Sequence, residues 1–292
     1  MFNEKITNKG LPRPPYNETA SDDYYYTNRI DNAVFASGKT KNGNTFNFIV
    51  AYNQYKRIKN TYYIDLTTLE ERLATNNGGQ DTSKFNQWLL RGTYAQSKDT
   101  VMLNYQLGYD INLETAYGER ITNKKQQQVD YAVFASAKYT LNKKITFQPA
   151  LRYGLNTNYS APLLPSLNIL FKHKKLTFRS SIAKGFRAPT LKEQYFKFND
   201  SNHNIEGNQT LLAETSTNYS LGLTLNHLKD SIPIKIDLSW FYNHISAMIT
   251  LVQSPSNSSL YTYSNIGVYK TTGTKLDVQL KHSHFKLSIG TA

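Results

Sequence analysis

The chain has 292 residues, no cysteine, and a formal net charge of +13 from 34 Lys and Arg against 21 Asp and Glu. The absence of cysteine excludes a disulfide framework, a thiolate nucleophile and a cysteine-ligated metal site. Hydrophobic residues make up only 39% of the chain, and no apolar run approaches the ~18 residues of a membrane-spanning helix. The segment after Met1 has no hydrophobic core, so we expect no signal peptide in this sequence.

About twelve strands are predicted along the chain, because apolar and polar side chains alternate with a period of two residues. They lie at 24–37, 45–59, 84–97, 100–115, 128–141, 144–156, 163–172, 175–184, 214–227, 232–250, 259–281 and 284–292. The fourth shows the pattern best: from Val101 to Leu113 every odd position is apolar or Tyr, and the even positions are mostly polar or small. This alternation outlasts an average strand of about 5–6 residues. It suits a tilted strand that needs roughly 9–11 residues to cross a bilayer.

Aromatic residues are unusually abundant, with 22 Tyr, 14 Phe and 2 Trp. Strand propensity explains part of this excess, but not its bias to Tyr. Amphipathic rings form girdles at the two membrane interfaces of outer-membrane barrels. The aromatic content therefore favours a barrel that spans a membrane.

The connections alternate between long and short. Long ones are predicted at 60–83, 116–127 and 185–213, and tight ones at 98–99, 142–143, 173–174, 228–231 and 282–283. Outer-membrane barrels have short periplasmic turns and long extracellular loops. The sequence thus predicts an all-β fold: an antiparallel transmembrane β-barrel portion with long extracellular loops and short periplasmic turns. Inside the first loop a short helix is predicted from Asp65 to Ala74, because Thr67 with Glu70 has capping-box spacing.

Basic residues cluster at 56–59, 124–125, 143–144 and 172–175. Basic residues interleaved with rings can bind single-stranded nucleic acid, but such a groove needs both on one surface. Here the basic clusters fall at strand ends, whereas the rings fall on the apolar faces. We therefore expect solvated turns and membrane-edge lysines, and no nucleic-acid partner.

Side-chain groupings that carry catalysis are scarce. His203 lies near Asp200 and Glu206 in the sequence, but this spacing matches no recognised metal-ligand pattern. Hydroxyls such as those of Tyr159 and Ser160 have no neighbouring base. We expect no enzyme, no catalytic residue, no metal site and no cofactor.

Residues 185–195 (GFRAPTLKEQY) closely resemble the signature found in the barrels of TonB-dependent outer-membrane receptors. Three further segments resemble elements of that family in the family's order: 207–214 (GNQTLLAE), 241–245 (FYNHI) and 263–267 (YSNIG) with Gly273. Two departures stand out, because Gln209 and Ala213 occupy positions where the family usually has proline. Four motifs in order across the second half of the chain make the resemblance specific.

The resemblance implies energy-coupled import of scarce, bulky ligands such as iron–siderophore complexes, haem or cobalamin across the outer membrane of a Gram-negative cell. Such receptors have a 22-stranded, plugged barrel, and the plug carries the box that binds the TonB energy-transducing complex. We expect residues 1–292 to be a partial barrel of about 12 of those strands, without a plug domain. The plug and the remaining strands would then belong to the same receptor, and outer-membrane lipid and lipopolysaccharide would surround it.

The loop from 185 to 213 supplies the candidate site. We expect a structural role at the mouth of the loop for the motif residues Gly185, Phe186, Arg187, Ala188, Pro189, Gly207, Asn208 and Glu214. The segment from Tyr195 to Ile205 combines rings with hydrogen-bonding groups, as ligand pockets do. The candidates for ligand contact are Tyr195, Phe196, Phe198 and His203.

Two other hypotheses stay open. One is a complete, small outer-membrane porin of twelve strands, since an even strand number suits such barrels; it requires a signal peptide and a closing terminal strand, and we recognise neither. The other is a soluble all-β module that binds glycans through its tyrosines. The long strands and the sorting of connections by length argue against the soluble module.

Overall fold

A computed structural model describes residues 2–9, 18–75, 79–96, 98, 100–199, 204–229, 232–282 and 284–292. In these residues it has strands β1 (Phe2–Lys9), β2 (Thr19–Lys39), β3 (Asn44–Asp65), β4 (Glu71–Leu73), β5 (Gln80–Gln96), β6 (Leu103–Gly118), β7 (Lys125–Leu141), β8 (Ile145–Asn156), β9 (Leu164–His173), β10 (Leu176–Arg187), β11 (Lys197–Asn199), β12 (Asn204–Glu206), β13 (Glu214–Lys229), β14 (Ile232–Ser254), β15 (Asn257–Lys281) and β16 (Lys286–Thr291), and helix α1 (Leu191–Tyr195). No helix in this described part of the chain is long and apolar enough to cross a membrane.

The strands form one sheet, in which the order is β1-β2-β3-β5-β6-β7-β8-β9-β10-β13-β14-β15, and β16 and β12 both pair with β15. Neighbouring strands are antiparallel, apart from the short parallel contact between β12 and β15. Among the described residues no pairing joins β1 to β16, so the sheet is open. The predicted all-β, antiparallel barrel portion is confirmed.

Each of the twelve predicted strands is present, as β2, β3, β5 to β10 and β13 to β16. The predicted and observed bounds differ most at the ends of the strands that lie away from the short turns. There β2 begins at Thr19 and β3 continues to Asp65. These two strands have 21 and 22 residues, well beyond the roughly 9–11 residues that cross a bilayer. The hairpin therefore continues past the membrane on the side of the long loops.

The two faces of the sheet differ as the alternation predicts. In β6, Leu103 and Leu107 are 54% and 52% exposed on the outer face. On the opposite, inner face, the carboxylate Oδ2 of Asp110 accepts from Arg91 Nη2 at 2.7 Å and from Arg152 Nη2 at 3.4 Å. An apolar outer face with a charged, hydrogen-bonded inner face is the arrangement of a membrane barrel with a polar lumen.

The helix predicted between Asp65 and Ala74 is wrong, because the segment forms a turn followed by β4, which pairs with β3. The Oδ1 of Asp65 accepts from the backbone N of Thr67 at 2.8 Å and of Thr68 at 3.1 Å. The N–H of Thr68, and then that of Thr67, hold the pKa of the Asp65 carboxyl below its usual value. Leu69 follows with a φ of 60°, a left-handed conformation that ends any helical turn.

Candidate functional site

The loop after β10 folds onto the inner face of the sheet and begins with α1. Thr190 caps this helix: its Oγ1 accepts from the backbone N of Glu193 at 3.2 Å, and the Glu193 carboxylate accepts from the backbone N of Thr190 at 2.8 Å. Leu191 packs with Ala116 and Ile121 in a buried cluster. The predicted elements do not include this helix. Thr190 and Glu193 nevertheless have the same capping-box spacing that led to the helix prediction in the first long loop.

Arg187, at the end of β10, is paired with two carboxylates. Its Nε and Nη2 donate to the two oxygens of Glu214 at 2.8 and 2.6 Å, and its Nη1 donates to those of Glu193 at 3.2 and 2.9 Å. The backbone N of Ile249 also donates to Glu214 Oε1, at 2.7 Å. The planar fork of arginine suits such bidentate pairing. This side chain therefore joins the ends of β10 and β13 to α1 and, through Glu214, to β14.

A buried amide network fixes α1 against the sheet. Gln194 Nε2 donates to the carbonyl oxygen of Pro189 at 2.9 Å and to Gln128 Oε1 at 3.2 Å. The Tyr159 hydroxyl donates to Gln194 Oε1 at 3.0 Å. Burial raises the pKa of Tyr159, so its phenol stays neutral and keeps this donor at physiological pH.

The second motif lies directly against the first. The backbone N of Asn208 donates to the Glu193 carbonyl at 2.9 Å, and that of Gly207 donates to the Phe196 carbonyl at 2.9 Å. The Asn208 side chain donates from Nδ2 to the carbonyl of Tyr263 at 2.9 Å. Three of the four motifs thus meet in one loop assembly, the last of them from about 50 residues further along the chain.

Asn265, in the last motif, holds the end of this loop. Its Oδ1 accepts from the backbone N of Leu212 at 2.8 Å, and its Nδ2 donates to the carbonyls of Leu212 and Ala247 at 3.0 and 2.7 Å. Asn265, Glu193 and Gln194 were not among the predicted site residues. All three could have been found from the sequence, because Glu193 and Gln194 lie inside the first motif and Asn265 lies inside the last.

Gly207 is packed so closely that a side chain does not fit. A Cβ at this position would lie 2.6 Å from the backbone C of Gln194, and backbone atoms of a packed helix cannot move aside. Gly207→Ala is therefore expected to destabilise the loop by about 1–2 kcal/mol and to increase its cleavage by protease on intact cells. Gly267→Ala is the control, because a Cβ there would meet nothing within 4 Å. Equal protease sensitivity of the two variants would contradict this packing.

Beside the loop assembly is a cavity of about 490 Å³ that combines rings with cations. Its lining includes the rings of Phe85, Phe196 and Phe198 and the cationic groups of Arg57, Arg120 and Lys192. Two of the predicted ligand-contact residues, Phe196 and Phe198, thus come together in one pocket, with their rings stacked at a centroid distance of 6.1 Å. Tyr195 packs, like Phe85 and Phe196, against the buried cluster around Leu191 but does not line the cavity, and His203 lies outside the described residues.

The cations of this cavity differ in how they are held. The guanidinium of Arg120 is 3.3 Å from Asp81 Oδ2, and its Cζ lies 5.4 Å from the centre of the Phe198 ring. Arg57 stands over the Tyr25 ring at 4.1 Å, and its Nε is buried without a hydrogen-bond partner among the described residues. A buried guanidinium N–H without an acceptor is costly.

Within the described part of the chain, no three His, Cys, Asp or Glu side chains come together as a possible metal site. The site is instead a rigid, hydrogen-bonded loop that walls a pocket of rings and positive charge. Such a pocket can hold a ligand by apolar contact and charge.

The TonB-dependent receptor-like β-barrel family model matches residues 3–292 of the chain, whereas no curated protein sequence matches it. Three similar solved structures are the ferric enterobactin receptor PfeA and the siderophore receptor PirA, both of Pseudomonas aeruginosa, and the hemophore receptor HasR of Serratia marcescens. Their TM-scores are 0.67, 0.60 and 0.57, at 17%, 15% and 11% identity. The matches cover 93%, 99% and 99% of this chain, but only 43%, 67% and 53% of those chains.

At these identities the structural likeness shows the fold alone. The family match assigns the chain to a family, because it extends over nearly the whole chain. The sequence resemblance seen in the four motifs is thereby confirmed. The chain belongs to the β-barrel family of the TonB-dependent receptors, which lie in the outer membrane of Gram-negative bacteria.

Proposed function

We propose that residues 1–292 are part of the barrel of an outer-membrane active transporter that imports scarce, bulky ligands. The observation that carries this function is the cavity lined by Phe196, Phe198 and Arg57, which opens beside the family's loop assembly on the inner face. Among the structural relatives, PfeA is a receptor for ferric enterobactin, PirA is a siderophore receptor, and HasR is a receptor for a hemophore that carries haem. Iron–siderophore complexes and haem are therefore the favoured ligand classes, and cobalamin has no such support.

The chemistry of the cavity narrows the ligand further. Its ring-rich wall favours a ligand with flat or apolar surface, since ligand pockets are mostly apolar with a few placed polar groups. Cationic residues outnumber carboxylates in its lining, where Asp81 is accompanied by Arg57, Lys59, Arg120 and Lys192. We infer an anionic, ring-bearing ligand. Arg187 and its carboxylate partners fix the loop beside this pocket and do not contact the ligand directly, whereas Lys192 of the same motif lines the pocket.

The partners of the receptor follow from this function. The plug and the remaining strands of the barrel belong to the rest of the same receptor, and the plug engages the TonB energy-transducing complex. Outer-membrane lipid and lipopolysaccharide cover the apolar outer face. The family consists of transport receptors, so we propose neither a catalytic nor a nucleic-acid-binding role. The family match favours this function over a twelve-stranded porin and over a soluble glycan-binding module.

Variants of the cavity test the proposal. In the full receptor, Phe198→Ala and Arg57→Gln are each expected to weaken ligand uptake about ten-fold, because each removes a stacking or charge contact worth roughly 1–2 kcal/mol. The amount of receptor at the cell surface should not change. Uptake is measured with a ferric catecholate siderophore, haem and cyanocobalamin in a strain that lacks its other receptors.

Lys56→Gln is the matched control for Arg57→Gln, because it removes the same charge from the neighbouring residue, which faces the other side of β3. Loss of uptake in Arg57→Gln but not in Lys56→Gln supports the cavity. Unchanged uptake of all three probes in both cavity variants would show that the ligand binds elsewhere.

A further inference from the structure

The end of the sheet that carries the short turns is strongly basic. Nine exposed lysines lie in or next to these turns, and we call them the short-turn lysines: Lys39, Lys41, Lys143, Lys144, Lys172, Lys174, Lys175, Lys281 and Lys286. They come from four hairpins: β2–β3, β7–β8, β9–β10 and β15–β16. Two of these turns lie side by side, since the backbone N of Lys172 donates to the carbonyl of Lys144 at 2.8 Å.

Several cations at the long-loop end are paired with carboxylates, whereas the short-turn lysines are not. At the long-loop end, ion pairs join Lys59 to Asp23, Arg120 to Asp81, Lys124 to Glu119 and Lys197 to Glu206. None of the short-turn lysines forms an ion pair with any residue that the structure describes. The positive charge of these lysines is therefore not offset by a carboxylate among the described residues, and it is available to attract an external anion.

The surroundings of these lysines indicate which anion. Just above them, on the outer face, is a row of exposed rings that includes Tyr105, Tyr139, Phe147 and Phe171. Tyr139 pairs with Phe147 across β7 and β8, and Phe171 pairs with Ile145 across β8 and β9, each within a few residues of a turn. Exposed rings at this position form the interfacial girdle of a membrane barrel. Side chains just beyond a girdle lie at the depth of the lipid headgroups.

We propose that the short-turn end of the barrel is a binding surface for anionic phospholipid headgroups in the leaflet that it faces. By the loop rule of outer-membrane barrels this is the periplasmic leaflet. Lysine stems lie along the apolar surface while their ammonium groups reach the phosphates, and the attraction adds up over many lysines. An acidic protein partner would explain the positive charge but not its position next to the aromatic girdle. A lipid surface explains both features, which lie on the same strands.

The test uses the full receptor, purified in detergent and mixed with equal amounts of phosphatidylglycerol and phosphatidylcholine. Native mass spectrometry then gives the ratio of the two lipids that stay bound. Wild-type receptor is expected to retain more phosphatidylglycerol. In Lys143→Gln/Lys144→Gln/Lys174→Gln that ratio should fall by about five-fold or more, the effect expected from even one lysine at an anionic surface. Salt at 0.5 M should also lower the wild-type ratio, because it screens exposed charges.

The matched control is Lys124→Gln/Lys125→Gln/Lys197→Gln, which removes three lysines from the long-loop end. Lys124 has a φ of 61°, close to the 55° of Lys143 and the 50° of Lys174, so the control also changes a left-handed position, one against two in the turn variant. The control should keep the wild-type lipid ratio. If the turn variant does not fold, as judged by heat-modifiable gel mobility, Lys144→Gln alone should show a smaller loss in the same direction.

Three results would overturn the proposal. The first is a wild-type receptor with no preference for phosphatidylglycerol, and the second is an equal loss of that preference in both triple variants. The third is specific retention of polyglutamate, lost in the turn variant, without a lipid preference, which would identify an acidic polypeptide as the partner. Ligand uptake plays no part in this readout, so failure of the proposed transport function and failure of the lipid surface are separate outcomes.

Discussion

Replacement of Leu107 by Arg in the full receptor is expected to reduce the folded receptor strongly, at a cost of about 2–4 kcal/mol near the bilayer midplane. Leu107 is 52% exposed on the outer face of β6, between neighbouring strands that keep the same face apolar. A guanidinium at this position would have to be placed in hydrocarbon without a partner. Heat-modifiable gel mobility of the outer-membrane fraction measures the folded amount.

Gln106→Arg is the control one residue away, where the side chain points to the inner face. That face already holds Arg91 and Arg152 around the carboxylate of Asp110, so another cation there remains solvated. We expect at most a small loss of folded receptor. Equal losses in the two variants, or a larger loss for Gln106→Arg, would mean that the assignment of the faces is wrong.

Arg187→Ala is expected to lower the amount of folded receptor through the loop assembly. The change leaves Glu193 and Glu214 without their cation, although both carboxylates are largely buried, with side chains 16% and 14% exposed. Breaking a buried pair costs about 3–5 kcal/mol. Because 40% of the Arg187 side chain is exposed, solvent screening reduces the expected cost to about 2 kcal/mol.

Two variants make this result specific. Arg187→Lys keeps the charge but cannot reproduce the two bidentate pairs, so it should recover only part of the loss. Arg179→Ala, on the same strand, removes a single hydrogen bond to Thr224 at 3.3 Å and should have little effect. The receptor level is quantified by antibody at the cell surface. A normal level of Arg187→Ala with abolished ligand binding would assign Arg187 to the ligand site instead of the loop.

The sequence by itself determined the strands, because a strand produces a local alternation of apolar and polar side chains with a period of two residues. The alternation between Val101 and Leu113 predicts both the existence of β6 and which of its side chains lie on the outer face, and the exposure of Leu107 agrees with it. The tight turns were equally local. Asn142 and Lys143, in the turn between β7 and β8, both have positive φ, a conformation that tight hairpin turns use.

The short helices could not be decided locally. Thr67 with Glu70, Thr68 with Glu71, and Thr190 with Glu193 all have capping-box spacing, but only the last pair caps a helix. Leu191 behind Thr190 has a buried place against Ala116 and Ile121. In the first loop, the edge of β3 offers backbone partners to residues 71–73 instead. The local signal is the same, and packing or strand pairing elsewhere in the fold decides the outcome.

The geometry of the candidate site was decided by the tertiary structure. The sequence singled out the motif residues and the ring-rich segment, but it could not show that Arg187 pairs with both Glu193 and Glu214, or that Phe198 shares a cavity with Arg57. Arg57 lies in β3 and Phe198 in β11, far apart along the chain. Their proximity depends on the curvature of the sheet and on the loop folding onto its inner face, because long-range contacts leave no periodic trace in the sequence. The paired strands supply one side of the pocket, including Arg57, and the loop that folds onto them supplies the other side, including Phe198.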